Sequence, residues 1–129
     1  MLYEAVTSVV IAVLLGEMLK VLFQAANHEP IRPFHLGGMP STHAAAVAGL
    51  CTGALAETGP SMLLLACVVF GWIVARDAYG VRWEVTKHSF ALNSKLKTRE
   101  FEATGHTRDQ VLAGVCLGIL VTVLVYAFV

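Results

Sequence analysis

The sequence predicts an all-α fold: an integral membrane helical bundle of about four transmembrane helices plus one amphipathic interfacial helix, in a single domain over residues 1–129. Three observations carry this expectation. Hydrophobic residues make up 57% of the chain and charged residues 14%, whereas a soluble globule this small must cover itself with polar side chains. The apolar residues gather into four runs at or near the length of a membrane span. The ionisable residues collect mainly in two stretches between those runs. Disorder, collagen-like repeats and a disulfide scaffold do not fit this apolar content with three cysteines. Nine Lys+Arg against nine Asp+Glu leave no net charge, which gives no support to nucleic-acid binding.

A helix needs about 20 apolar residues to cross a bilayer core, with roughly 17 as the lower limit. Ala5 to Ala26 meets this, although Glu17 and Lys20 interrupt it. The N-terminus lacks the positive segment of a signal peptide, so this run reads as a retained first span. Ala44 to Ala56 is shorter and reaches 17 residues only when Ser41 and Glu57 are counted. Ser61 to Ala78 is the third span, joined to the second as a helical hairpin by the Gly59-Pro60 turn. Between Trp83 and Ala103 the apolar residues Phe90, Leu92, Leu96 and Phe101 keep a rough helical spacing, read as an amphipathic helix along the headgroups. Val111 to Val129 is the fourth span. Cys51, Cys67 and Cys116 lie inside apolar runs and read as small core residues.

Four passes put the two polar stretches, Asn27 to Thr42 and Tyr79 to Asp109, on one side of the membrane. Eight of the nine Lys+Arg lie on or beside them, so the positive-inside rule places that side in the cytoplasm, most simply at the plasma membrane. All five histidines fall there too. His43 closes Gly37-Gly38-Met39-Pro40-Ser41-Thr42-His43 just before the second span, where Ser41 can cap the helix. A helix N-terminus with a hydroxyl and an imidazole beside it suits a phosphate. His106, in Gly105-His106-Thr107-Arg108-Asp109-Gln110, meets a second helix start. Arg82 follows Asp77-Ala78-Tyr79-Gly80-Val81 at the end of the third span.

In those three stretches, with Val111, Gly114 and Gly118 after the last and Lys20 and Leu92-Asn93 beside them, the chain resembles the divergent branch of the type 2 phosphatidic-acid phosphatase (PAP2) superfamily, which includes vanadium haloperoxidases. The resemblance covers nearly the whole chain. It implies phosphoryl transfer with His106 as the nucleophile, His43 protonating the leaving oxygen, and Arg82 holding phosphate oxygens with help from Lys20 and Arg32. Ser41, Thr42, Asp77 and Asp109 complete the expected substrate-binding set. No metal or organic cofactor is implied, and vanadate would act only as a phosphate mimic. The parent pattern has an Asp four residues after the nucleophilic His and an Arg a few residues before it. Here Gln110 takes the first place, with Asp109 one position earlier, and Arg82 lies 24 residues away.

Bland readings stand beside these. His28, His35 and His88 lack any motif, and Trp72, Trp83, Tyr79 and Phe34 read as interfacial anchors. Glu17 and Lys20 either neutralise each other or face a functional interior, because charge inside a span is costly. The pairs Gly49/Gly53 and Gly114/Gly118 suit close packing within one chain and leave a homodimer open. The expected function is hydrolysis of a lipid-linked phosphate ester or anhydride through a phosphohistidine. The alternatives are a catalytically silent membrane adaptor that binds phospholipid headgroups, and a small transporter subunit relying on Glu17 and Lys20.

Overall fold

A computed structural model of the chain describes residues 2–29, 31, 37–98 and 105–128. It is helical: α1 (Leu2–Ala26), α2 (Thr42–Thr58), α3 (Met62–Arg76), α4 (Arg82–Leu96) and α5 (Arg108–Phe128), with a π turn, Asp77–Val81, joining α3 to α4. Three helices are long and apolar enough to cross a bilayer: Tyr3–Ala26, the continuous Met62–Leu96, and Arg108–Phe128. The fourth, α2, is 17 residues long and sits in the middle of the bundle, against α1, α3 and α5.

The packing is that of a membrane interior. The buried stripe of α1 runs Ser8, Ala12, Gly16, Lys20 and Gln24, while Val6, Val10, Leu14, Met18 and Leu22 face outward on the opposite stripe. Small or polar residues face the protein and large apolar ones face out, as expected when lipid is the solvent. On α3 only Cys67 is buried. So large an exposed apolar surface would be an aggregation liability in water.

Glycine sets how closely α2 and α5 approach. A Cβ on Gly118 would stand 2.1 Å from the Ala45 carbonyl oxygen, and one on Gly114 would stand 2.2 Å from that of Ser41. Both obstacles are backbone, so neither can swing aside. Thr122 completes the seam, donating its hydroxyl to the carbonyls of Gly118 at 2.9 Å and Gly49 at 3.4 Å. The two glycine pairs thus serve packing within the chain: Gly49 faces α5 across this seam, and Gly53 lies against Ala5 and Tyr126.

The termini of the elements gather at two ends of the bundle. Lys20, the Ser41 cap, the π turn and His106 share one end of the bundle. The Gly59 turn, with Gly59 at φ 61°, and the hydrogen bond from Tyr126 to Glu57 at 2.8 Å mark the other.

One expectation is corrected. The polar segment after the third run does not begin a separate helix at Trp83. α4 continues α3 through the π turn, giving a helix of 35 residues, about 52 Å long against a bilayer core of about 30 Å. The drop in hydropathy after Arg76 marks where the chain leaves the apolar layer, not where the helix ends. α4 ends at Leu96, and residues 99–104, which include the expected end of the amphipathic segment, lie outside the described residues.

Gly118→Ala should force α2 and α5 apart and destabilise the protein by roughly 1–3 kcal/mol or more. Gly80→Ala, whose Cβ would meet nothing within 4 Å, should be close to neutral. Unfolding in graded SDS compares the two.

Candidate functional site

Ser41 starts the site. Its hydroxyl accepts the Ala44 N–H at 3.4 Å, capping α2 as its position predicts, and its own N–H donates to the Gln110 carbonyl at 3.1 Å. Both Ser41 and Thr42 are buried, with the Thr42 methyl packed over Gly16 of α1. These contacts fix the first turn of α2 between α1 and α5. Among the described residues, no acceptor is paired with the Thr42 or His43 amides. His43 itself is exposed.

His106 is held from the other side. Its N–H donates to the Ala78 carbonyl at 3.0 Å, at the π turn. The preceding Gly105 N–H donates to the Thr86 hydroxyl at 3.0 Å, and that hydroxyl donates to the Arg82 carbonyl at 3.0 Å. A Cβ on Gly105 would fall 2.4 Å from the Trp83 nitrogen, so only glycine lets the strand of chain before α5 lie on the helix backbone at Arg82 and Trp83. This closes the 24-residue gap between Arg82 and His106. Gly105 and His106, just before α5, lie against the π turn and the start of α4.

The ring of His106 is 3% exposed. Its Nδ1 lies 3.0 Å from the Gly38 carbonyl oxygen. A carbonyl only accepts, so this bond assigns the proton to Nδ1 and leaves the lone pair of a neutral ring on Nε2. The side-chain carbonyl of Gln110, which accepts the Thr107 N–H at 3.0 Å, is a second acceptor beside the ring. Burial, foremost, pushes the His106 pKa below the ordinary imidazole value. The charges of Lys20 and His43 act in the same direction, and the two acceptors oppose it.

Lys20 is only 2% exposed, and its ammonium meets the Glu17 carboxylate at 2.8 Å. A buried cation is tolerable only with such a partner. Gly38, at φ 96°, brings its backbone to Lys20: a Cβ there would touch the lysine stem at 3.3 Å. Lys20, Gly38 and Gln110 line a cleft of about 230 Å³ with Gln24, Asn27 and Met39. His106 stands behind the Gly38 and Gln110 wall rather than in it. Arg82 is oriented by Asp77, which accepts from its Nε across the π turn. The charges of Arg82, Lys20 and Glu17 all bear on the His43 ring.

The structure therefore draws together His43, His106, Arg82, Lys20 and Asp77. It turns Asp109 away: that carboxylate is exposed and lines a different cleft with Tyr79 and Arg108, so the partner of the His106 ring is Gly38. Arg32 lies outside the described residues. Sequence reasoning missed Gly38, Ala78 and Thr86, and two of these act through backbone carbonyls that no side-chain pattern announces. Among the described residues, no three His, Cys, Asp or Glu side chains gather as a metal site.

An apolar groove of about 220 Å³ begins at Ala44, the residue after His43. Its floor is Ala44, Val47, Ala48 and Cys51 of α2, and its walls come from α3, with Gly71 and Ala75, and α5, with Val115.

The sequence is 33% identical over 115 aligned residues to the uncharacterized membrane protein YuiD of Bacillus subtilis (strain 168), covering 71% of this chain and 73% of that protein. No solved structure matches the chain. The divergent PAP2 family matches residues 1–121, so the glycine-held loops and paired cations described here belong to a member of that family of membrane proteins.

Proposed function

We propose that this protein is a membrane-embedded phosphatase that hydrolyses a lipid-linked phosphate ester or anhydride through a phosphohistidine. The observation that carries the reading is the His106 imidazole, held through Nδ1 by the Gly38 carbonyl so that Nε2 keeps its lone pair, with His43 and Lys20 near enough for their charges to act on it. In the first step Nε2 attacks phosphorus and the bond to the leaving oxygen breaks, with His43 supplying the proton that oxygen needs. Water then attacks phosphorus as His43 takes its proton, the P–N bond breaks, and phosphate leaves with His106 neutral and His43 protonated again. Arg82 and Lys20 stabilise the charge spread over the transferring oxygens. The Thr42 and His43 amides at the start of α2 add donors of the same polarity. Ser41, Thr42 and Asp77 hold this machinery in place, and Arg32 joins it as a further cation. No cofactor enters.

The apolar groove beside His43 supports a substrate with a lipid chain, polyprenyl phosphates included. From Ala44 to Cys51 its floor runs about 10 Å along the α2 axis, toward the bilayer interior. In this reading α2 is the fourth crossing, shortened because its neighbours surround it. The eight cations beside the polar stretches favour a cytoplasmic active site at the plasma membrane.

A second reading, a silent adaptor that binds phospholipid headgroups, is favoured by the burial of His106 and the neutral Gln110 where the parent superfamily carries an Asp. Turnover separates the two. Purified protein in detergent should release inorganic phosphate from a polyprenyl phosphate or phosphatidic acid without added metal, and His106→Ala should reduce release by roughly 10³-fold or more. Binding without release in the wild type supports the adaptor.

The depressed His106 pKa makes a directional forecast. A nucleophile must be unprotonated, so the acidic limb of the rate should lie below pH 6.5, at the lowered pKa. Gln110→Asp places a carboxylate by the ring, favours its charged form, and should move that acidic limb to higher pH. A pH profile of kcat/KM for the two proteins checks both statements.

Filling the groove should separate tail from headgroup. Ala48→Leu is expected to raise KM for a polyprenyl phosphate several-fold, on the scale of one or two displaced methylenes. Its kcat/KM for p-nitrophenyl phosphate, which has no tail, should stay near that of the wild type.

A further inference from the structure

A second cationic centre lies on the outer side of the π turn, away from His106. Arg76 ends α3 and Arg108 begins α5, and both are exposed at the level where the apolar runs stop. The guanidinium carbons of the two lie 5.9 Å and 5.8 Å from the centroid of the Tyr79 ring. The three side chains line one cleft of about 610 Å³, which also includes Trp72, Ile73 and Glu84. His43, His106 and Lys20 take no part in it.

The carboxylates in that cleft already have cations. Asp77 accepts from Arg82, and Glu84 meets Lys87 at 2.6 Å. Asp109 lines an adjoining cleft with Tyr79 and Arg108. Among the described residues, neither Arg76 nor Arg108 makes an ion pair, and the Tyr79 ring is their common neighbour. Cation–π contact is only a weak substitute for an anion at an exposed site, and guanidinium groups pair with phosphate in two-pronged fashion. Below the arginines the wall turns apolar within one helical turn: Trp72 is 67% and Ile73 58% exposed. A cleft that is cationic at the headgroup level and aromatic and aliphatic just beneath has the polarity profile of an anionic phospholipid, with phosphate above and glycerol and chains below.

We propose that Arg76, Arg108 and Tyr79 form a binding site for the phosphate diester of an anionic bilayer phospholipid, separate from the reaction centre. The site does not depend on the protein being an enzyme. Electrostatics selects the lipid, because a zwitterionic headgroup carries its own cation into a cleft that already holds two.

Native mass spectrometry of the full chain, released from micelles doped with phosphatidylglycerol or phosphatidylcholine, tests this. Wild-type protein should retain one phosphatidylglycerol at roughly tenfold higher occupancy than phosphatidylcholine, the preference expected from one charge-assisted contact. The Arg76→Gln/Arg108→Gln double variant should lose that preference, and Lys95→Gln/Lys97→Gln, which removes two exposed cations of the α4 end, should keep it. Inorganic phosphate at equal concentration should leave the lipid in place. Thermal unfolding gives an independent readout: phosphatidylglycerol should raise the wild-type midpoint and leave that of the arginine double variant unmoved. Equal retention of both lipids by the wild type, an unchanged preference in the arginine variant, loss of preference in the lysine variant, or displacement by inorganic phosphate would each overturn the proposal.

Discussion

At Gly118 the Ala45 carbonyl occupies the space a side chain would need, and at Gly114 the Ser41 carbonyl does the same. These contacts place the axes of α2 and α5 closer than two leucine-faced helices can come. With the bond from Ser41 N–H to the Gln110 carbonyl, they fix the start of α2 against the start of α5. Both histidines of the site lie at those two starts. In a bilayer, burial of apolar surface gives no net drive between helices, so contact this close must come from packing and hydrogen bonds. The Thr122 hydroxyl, shared between two carbonyls of the seam, supplies one such bond. The geometry at His43 and His106 is thus a consequence of what happens a turn or more deeper in the bundle.

The second support is the π turn. An α-helix running straight from Met62 to Leu96 would satisfy its carbonyls internally. At Asp77–Val81 the Arg82 N–H reaches back five residues to Asp77, and in the same turn Ala78 offers its carbonyl to His106. π turns inside α-helices recur where a backbone or side chain must be re-aimed. This one does so on two sides, presenting Ala78 inward to the loop before α5 and Tyr79 outward between two arginines. It also sets Arg82 and Asp77 in register for their hydrogen bond, a pairing that five residues on a regular helix would not align.

Much of this was legible in the residues. Hydropathy located the apolar runs, Gly59-Pro60 marked the hairpin, Ser41 stood where a cap is needed, and the glycine pairs pointed to close packing. The continuity of α3 and α4 was not legible, because hydropathy reports the environment of a helix and is silent on its length. Asp109 follows His106 by three residues, the spacing of neighbours on a helix face. However, His106 precedes α5, so that rule does not reach it, and the ring bonds a carbonyl 68 positions away in sequence. Backbone acceptors leave no trace in a pattern of side chains. The approach of Arg82 to His106 was hidden for the same reason: four backbone atoms and one threonine hydroxyl make it.

The charge arrangement explains why an acceptor without charge suits His106. Lys20 and Arg82 each come with a carboxylate, Glu17 and Asp77, so the site holds two ion pairs rather than two bare cations; burial demands this of Lys20, while the Arg82–Asp77 pair is partly exposed. A third carboxylate against the ring would stabilise the imidazolium, the form with no lone pair to offer. A carbonyl orients the ring through its dipole and leaves the neutral form dominant, and burial then favours that form further. In the proposed reaction the acid is His43, the exposed imidazole of the two, and the charges of Arg82 and Lys20 bear on it. A phosphate dianion between Lys20, Arg82 and His43 would offset those charges. The charge that makes the substrate recognisable would then also load the proton its leaving group requires.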